Sequence, residues 1–212
     1  LLDDLRMELA ARGSQKRDGR TQILIAPSWN EDNILDSCVD ELLENLVSPD
    51  RRIIVRPHPE YVKRYSAKLE ALQARWSEQT REGLQFETDF SGNSSIYDSD
   101  LLVTDWSGIA YEYSYATERP TLFINTKVKA PNPNWERIGI TPLEISLRDQ
   151  IGRSLNKDQL DQAGQVAEEM AANPEAWRER IRAIREKHIF NPGKAGMVGA
   201  DYIIGRLTKK QA

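Results

Sequence analysis

Two short polar clusters, each directly after an apolar run, hold the residue types that could do chemistry in this chain. Arg56-Pro57-His58-Pro59 follows Ile53-Ile54-Val55, and Thr104-Asp105-Trp106-Ser107-Gly108 follows Leu101-Leu102-Val103. An arginine can fork onto phosphate oxygens, and a histidine can donate to phosphate or move a proton near neutral pH. Prolines on both sides of His58 hold that backbone extended. Ser107 and Gly108 open a predicted helix, so their amides and the Ser107 hydroxyl could hold a diphosphate. Asp105 is the odd member, because a carboxylate repels phosphate. It could cap the helix, orient a neighbouring histidine, or accept a proton from an acceptor hydroxyl.

Weaker candidates surround these. Ser28, in Pro27-Ser28-Trp29-Asn30, could contact a ligand, although an N-cap beside a packed tryptophan explains the same letters. Glu112, about a turn into the helix after Gly108, could reach a ribose hydroxyl pair or simply face solvent. Lys194, in Asn191-Pro192-Gly193-Lys194-Ala195, could touch phosphate, but a Pro-Gly turn entering a helix is the plainer reading. The second histidine, His188, falls in the last turn of a predicted helix, where a cation is electrostatically favoured. No Cys/His cluster, acidic metal triad or Walker loop is present, so neither a metal nor a cofactor is expected.

The elements that must position these groups alternate. Strands are predicted at 22–26, 53–55, 84–86, 101–104 and 121–125. Between the first two, Ile34, Leu35, Cys38, Val39, Leu42, Leu43 and Leu46 repeat at helical spacing, and Tyr61, Tyr65, Leu69, Leu72 and Trp76 mark the next helix. Alternation of this kind predicts an α/β fold, a Rossmann-like parallel sheet flanked by helices. In such sheets ligands bind outside the carboxyl ends of the strands, where both polar clusters lie. Residues 127–140 read as a long loop. Beyond Pro142 only helices are evident, including one capped at Asn173-Pro174 and a last one from about Lys194 to Leu207. The expected organisation is an amino-terminal helix and linker over 1–20, then one domain over 21–212 that includes the carboxyl-terminal helices.

At 212 residues, the chain suffices for one large α/β domain. It begins with leucine, which fits a piece of a longer protein. The net charge of −4, with both signs interspersed, argues against broad electrostatic binding to nucleic acid. A single cysteine, Cys38, excludes a disulfide framework and points to a reducing cytoplasm. No apolar run approaches the roughly 18 residues of a membrane span, and no stretch reads as a signal peptide. A role at the membrane surface stays open.

Taken in order, these segments resemble the carboxyl-terminal half of the CDP-glycerol glycerophosphotransferases, the wall teichoic acid polymerases and primases. Ala26-Pro27-Ser28-Trp29 matches that family's Ala-Pro-Thr-Trp strand end, and Arg56, His58 and Pro59 match its Arg-x-His-Pro motif. The run from Ser99 to Gly108 follows its Ser-Asp-x-Leu-Ile-Thr-Asp-Tyr-Ser-Ser block. Arg119-Pro120-Thr121 and Pro192-Gly193-Lys194-Ala195 match two later signatures. Two positions depart: Trp106 stands for the family's tyrosine and Gly108 for its second serine.

The resemblance implies one half of a glycosyltransferase-B architecture. Its donor would be CDP-glycerol or another nucleotide-diphosphate-linked group, and its acceptor a glycan or polyol-phosphate presented by an amino-terminal domain that nothing here resembles. It further implies a cytoplasmic enzyme, with the inner membrane face as one setting. His58 and Asp105 would be the catalytic groups, and Ser28, Arg56, Ser107, Gly108, Glu112 and Lys194 the donor and phosphate contacts. Two rival expectations are a nucleotide-sugar glycosyltransferase or epimerase domain, and a non-catalytic Rossmann-like interaction domain.

Overall fold

In the computed structural model the described residues are 18–79, 83–128 and 134–209, together with Met7 and Ala11. The helix expected at the amino terminus therefore lies largely outside them. Six strands form one sheet: β1 (Thr21–Ile25), β2 (Arg51–Val55), β3 (Leu84–Phe86), β4 (Leu101–Thr104), β5 (Thr121–Asn125) and β6 (Gly152–Asn156). Their spatial order is β3-β2-β1-β4-β5-β6, and every neighbouring pair is parallel.

The apolar runs explain this arrangement. Successive side chains of a strand point to opposite faces, so a run such as Ile23-Leu24-Ile25 is stable only if both faces are covered. Ile23, Ile25, Ile53, Val55, Leu101 and Val103 pack into one core, and Leu24, Ile54, Leu102 and Phe123 into another. The first core receives α1 (Ile34–Ser37), α2 (Val39–Leu46), α3 (Pro59–Arg64) and α4 (Ser66–Arg75). Beyond α5 (Ser94–Asp98), the second core receives α6 (Ile109–Thr117), and after α7 (Leu143–Ser146) it also takes α8 (Arg148–Ile151). Further along the chain, α9 (Ala163–Ala171) returns to the first core and α10 (Pro174–His188) to the second, before the final α11 (Ala195–Lys209).

Four sequence expectations need correction. The stretch beyond Pro142 is not all helical, because α8 leads into β6, which pairs with β5 over five residues. Gly-Arg-Ser-Leu-Asn has one large apolar residue and so carries no strand period. Gly152 makes this pairing possible, since a Cβ there would lie 1.7 Å from the Thr121 carbonyl oxygen. The helix expected over Ile34–Leu46 is two helices that break at Cys38, where φ is −157°. The next is likewise split at Tyr65. Neither break shifts the apolar phase, so periodicity alone does not reveal it. Within the expected loop at 127–140, Trp135–Ile138 forms a single 3₁₀ turn. Among the described residues no helix is long and apolar enough to cross a membrane.

Two features of this sheet position the site. The strand order reverses between β1 and β4, so the loops leaving these two neighbours diverge to opposite faces and leave a crevice. The far end of α6 is then locked down by Glu118, which ends the helix in a left-handed conformation (φ 58°). Its carboxylate accepts from Arg182 Nη2 and Arg185 Nη2, each at 2.8 Å, which ties α6 to α10. Burial pushes this carboxyl up, but the two arginine bonds outweigh it and hold the pKa below the ordinary value. A depressed carboxyl stabilises the fold above its unfolded pKa and loses that contribution as pH falls through the folded pKa. Glu118→Gln should therefore lower stability at neutral pH and flatten the acid side of the stability curve. Urea unfolding from neutral pH down through the carboxylate range measures this, and parallel curves for the two proteins would refute it.

Candidate functional site

The crevice is organised by Asp105, which is 0% exposed at the end of β4. Its Oδ1 accepts the Ser28 amide at 2.9 Å and its Oδ2 the Ile34 amide at 3.1 Å. Asp105 does cap a helix, but the helix is α1, across the sheet, rather than its own. Asn33 completes that cap, its side-chain oxygen accepting from the amides of Leu35 and Asp36. In doubly wound folds the amino end of the first helix is where a phosphate commonly sits. Here the protein's own carboxylate fills it.

The amino end of α6 is different. Ser107 is half-buried and Gly108 exposed. Among the described residues, neither their amides nor the Ser107 hydroxyl has a hydrogen-bond partner. Gly108 sits in ordinary helical space (φ −61°, ψ −22°), and a Cβ there would meet nothing within 4 Å. The family's serine would therefore fit, so sterics do not explain the glycine. The residues just before this open end are fixed from both sides. Trp106 donates its indole N–H to the Thr126 carbonyl at 3.1 Å, just past β5. Arg148, 5% exposed, donates to the Asp105 carbonyl at 3.0 Å and to the Asn125 side-chain oxygen at 2.8 Å. Its guanidinium lies 3.9 Å from the Trp106 ring centre and 4.3 Å from that of Phe123. Burial pulls its pKa down to about 10, which leaves it charged at neutral pH. The Thr126 hydroxyl is buried and unpartnered among the described residues.

The other predicted residues divide between this crevice and the fold. Ser28 is 2% exposed, its amide on Asp105 and its hydroxyl bonded to the Asn30 side chain. Arg56, 8% exposed, is bound by Glu87, by Ser95 Oγ at 3.2 Å and by the Gly92 carbonyl at 3.1 Å. Its donors tie the end of β2 to the segment after β3. His58 caps α3, Nδ1 accepting the Glu60 amide at 3.1 Å, which places the ring proton of the neutral form on Nε2. Its ring lies 6.1 Å from that of Trp29, which Arg64 covers at 5.1 Å. Glu112 and Lys194 are exposed, and no side-chain bond links either to the other candidates. The structure thus joins Ser28 to Asp105 and sets Ser107 and Gly108 directly after it. Arg148 and Thr126 escaped the sequence reading: Arg148 opens the short, mostly polar helix α8, and its aromatic partners are distant in sequence.

A parallel sheet of this order, with helices on both faces, defines a Rossmann-type α/β domain, and its structural neighbours are glycosyltransferases. The chain belongs to the CDP-glycerol:poly(glycerophosphate) glycerophosphotransferase family, whose model matches residues 6–130. A comparison with curated protein sequences finds no match. Among solved structures, a variant of the wall teichoic acid polymerase TagF is 17% identical, with a TM-score of 0.45, over 99% of this chain and 48% of that one. An α,α-trehalose-phosphate synthase (UDP-forming) from Burkholderia vietnamiensis is 12% identical, TM-score 0.57, over 86% of this chain and 46% of that one. The carboxyl-terminal domain of LpcC, a group 1 glycosyl transferase from Francisella tularensis, is 11% identical with a TM-score of 0.52. It is covered over 91% of its length, by 86% of this chain. The chain spans about half the length of the first two.

The clamp predicts a clear stability difference along one loop. Asp105→Asn keeps the shape but turns an NH₂ toward one of the two buried amides, which should cost about 1–3 kcal/mol. Ser107→Ala, two residues on, removes no bond among the described residues and should stay within about 0.5 kcal/mol of the parent. Urea midpoints of the two variants make the test. Equal midpoints would mean that Asp105 does not clamp the crevice.

Proposed function

We propose that this chain is the donor-binding half of a glycerophosphotransferase that builds a cell-surface polymer, with its donor's diphosphate at the amino end of α6. The observation that carries this reading is the contrast between the two helix ends at the crevice. Asp105 fills that of α1, whereas the amides of Ser107 and Gly108 stay open within the stretch the family model matches. Helix amides and one hydroxyl suit a diphosphate better than a neutral sugar. The donor is CDP-glycerol, or another nucleotide-diphosphate-linked group, and the acceptor a glycan or polyol-phosphate.

In the transfer, an acceptor hydroxyl oxygen attacks the donor's β-phosphorus. The bond from phosphorus to the bridging oxygen breaks, and CMP leaves with that oxygen. The acceptor proton passes to a base, while His58, whose neutral form carries its proton on Nε2, has the chemistry of an acid or of a donor to a phosphate oxygen. Such catalysis rests mainly on positioning and on stabilising charge. Ser107 and the α6 amides take the phosphate oxygens, while Asp105 and Ser28 hold the crevice in shape. Arg56 shapes the segment after β3, and Glu112 and Lys194 are assigned to the ribose and to an outer phosphate contact. We place the acceptor side in the part of the relatives' length that this chain does not span, and the reaction in the cytoplasm at the inner membrane face.

The trehalose-phosphate synthase, with a TM-score of 0.57, supplies the reason for a second reading, glycosyl transfer. The products separate the readings: phosphotransfer releases a nucleoside monophosphate, and glycosyl transfer a nucleoside diphosphate. For the site itself, calorimetry of CDP and cytidine against Ser107→Ala is decisive. CDP should bind about 1–3 kcal/mol more weakly, the usual size of a hydrogen bond to a charged group, while cytidine is unchanged. Equal losses for both ligands would make Ser107 a structural cap.

A further inference from the structure

A buried cation, Arg148, bonds to the backbone just before the open end of α6, and it lies outside the stretch matched by the family model. It is buried, and among the described residues no carboxylate comes within ion-pair distance of it. Its guanidinium bonds to two uncharged oxygens, those of the Asp105 carbonyl and the Asn125 amide, and lies against the rings of Trp106 and Phe123. The carboxylates that act on it, Asp105 and Asp149, do so from further away, and that of Asp105 is already bound by two amides. The phenol of Tyr111 is the remaining titratable group beside it, and burial keeps that phenol protonated at neutral pH. A buried cation with only neutral partners is costly unless some further negative group completes its surroundings.

Its bond to the Asp105 carbonyl also has a geometric consequence. In a trans peptide the carbonyl and the next N–H point in opposite directions. A carbonyl held toward Arg148 therefore turns the Trp106 N–H the other way, and the chain enters Ser107 and Gly108 from a fixed peptide. The stacked Trp106 ring, bonded at the same time to the Thr126 carbonyl, prevents that peptide from rotating.

We propose that Arg148 is a positioning residue that gives the α6 end its preference for a diphosphate, by fixing the Asp105–Trp106 peptide and by placing one buried positive charge behind it. The inference rests on the donor-site reading, and concerns how that site discriminates between a charged ligand and its uncharged nucleoside. Arg148 acts on the ligand through the loop and does not touch it.

The test is the ratio of CDP to cytidine affinity in this chain, read by calorimetry with a thermal melt as the folding control. Three variants separate the contributions. Arg148→Met removes fork and charge together, and Arg148→Lys keeps the charge without the fork. Asn125→Asp keeps the guanidinium in place but pairs it with a carboxylate. The ratio should fall about tenfold or more in Arg148→Met and in Asn125→Asp, the size expected for one desolvated charge, with cytidine affinity unchanged. In Arg148→Lys it should fall less than in Arg148→Met. Should Arg148→Met fail to fold, Asn125→Asp still decides. A parental ratio in a folded Asn125→Asp overturns the inference, as does an equal loss for CDP and cytidine, which marks a merely structural residue. A parent that binds the two ligands equally overturns the donor-site reading as well, and that measurement needs no variant.

Discussion

A carboxylate buried with both oxygens on backbone amides is one of the least replaceable polar groups in a protein. Removing it leaves two donors without water or partner, and moving it requires breaking two charge-assisted bonds together. Asp105 is such a group, and it joins the loops that leave β1 and β4 at the point where the strand order reverses. The crevice of a doubly wound sheet exists because these loops diverge, so a bond across their roots sets its width. Everything placed around that crevice depends on this one clamp. Ser28 is drawn in by its amide, α1 is capped from across the sheet, and Trp106 follows directly in the chain.

The clamp also decides which helix end is available. Amides at the start of a helix attract anions, and a protein can satisfy them internally or leave them for a ligand. Here Asp105 and Asn33 satisfy α1, while those of Ser107 and Gly108 have no partner among the described residues. A second tie, from Asp32 to the Lys127 amide and the Lys157 ammonium, joins the loop after β1 to the ends of β5 and β6. Arg56, by contrast, has its fork on Glu87 and its neighbours, and so steadies the segment after β3. Rigidity on three sides is what an electrostatic site needs, since donors already in place require no reorganisation when charge arrives.

The legibility of this chain follows the strength of its periodic signals. Runs such as Ile23-Leu24-Ile25 and Leu101-Leu102-Val103 are apolar on every position, which only a strand covered on both faces explains, and these strands exist, as does the weaker one at Leu84-Gln85-Phe86. β6 was invisible because Gly152-Arg153-Ser154-Leu155-Asn156 has neither period, and its place depends on Gly152 passing close to Thr121. At the site, residue type pointed to Asp105 and Ser107 but could not apportion their work. Whether a carboxylate at a strand end moves protons or binds amides depends on what lies opposite, and Ser28 and Ile34 are more than seventy residues away. Arg148 was illegible for the same reason: its partners Asp105, Trp106 and Phe123 come from elements that only the fold brings together.

The central claim is that the amino end of α6, and no other helix end or groove, receives the donor's diphosphate. Amide chemical shifts followed by ¹H–¹⁵N spectroscopy during a CDP titration test it most directly, because they report on every backbone N–H at once. The largest changes should fall on Ser107, Gly108 and Ile109, with smaller ones at Ser28 and Ile34 through the Asp105 clamp. Cytidine alone should leave the Ser107 and Gly108 signals where they are. Changes centred instead on the open groove beside Arg20, Arg52 and Gly83, with α6 silent, would contradict the claim.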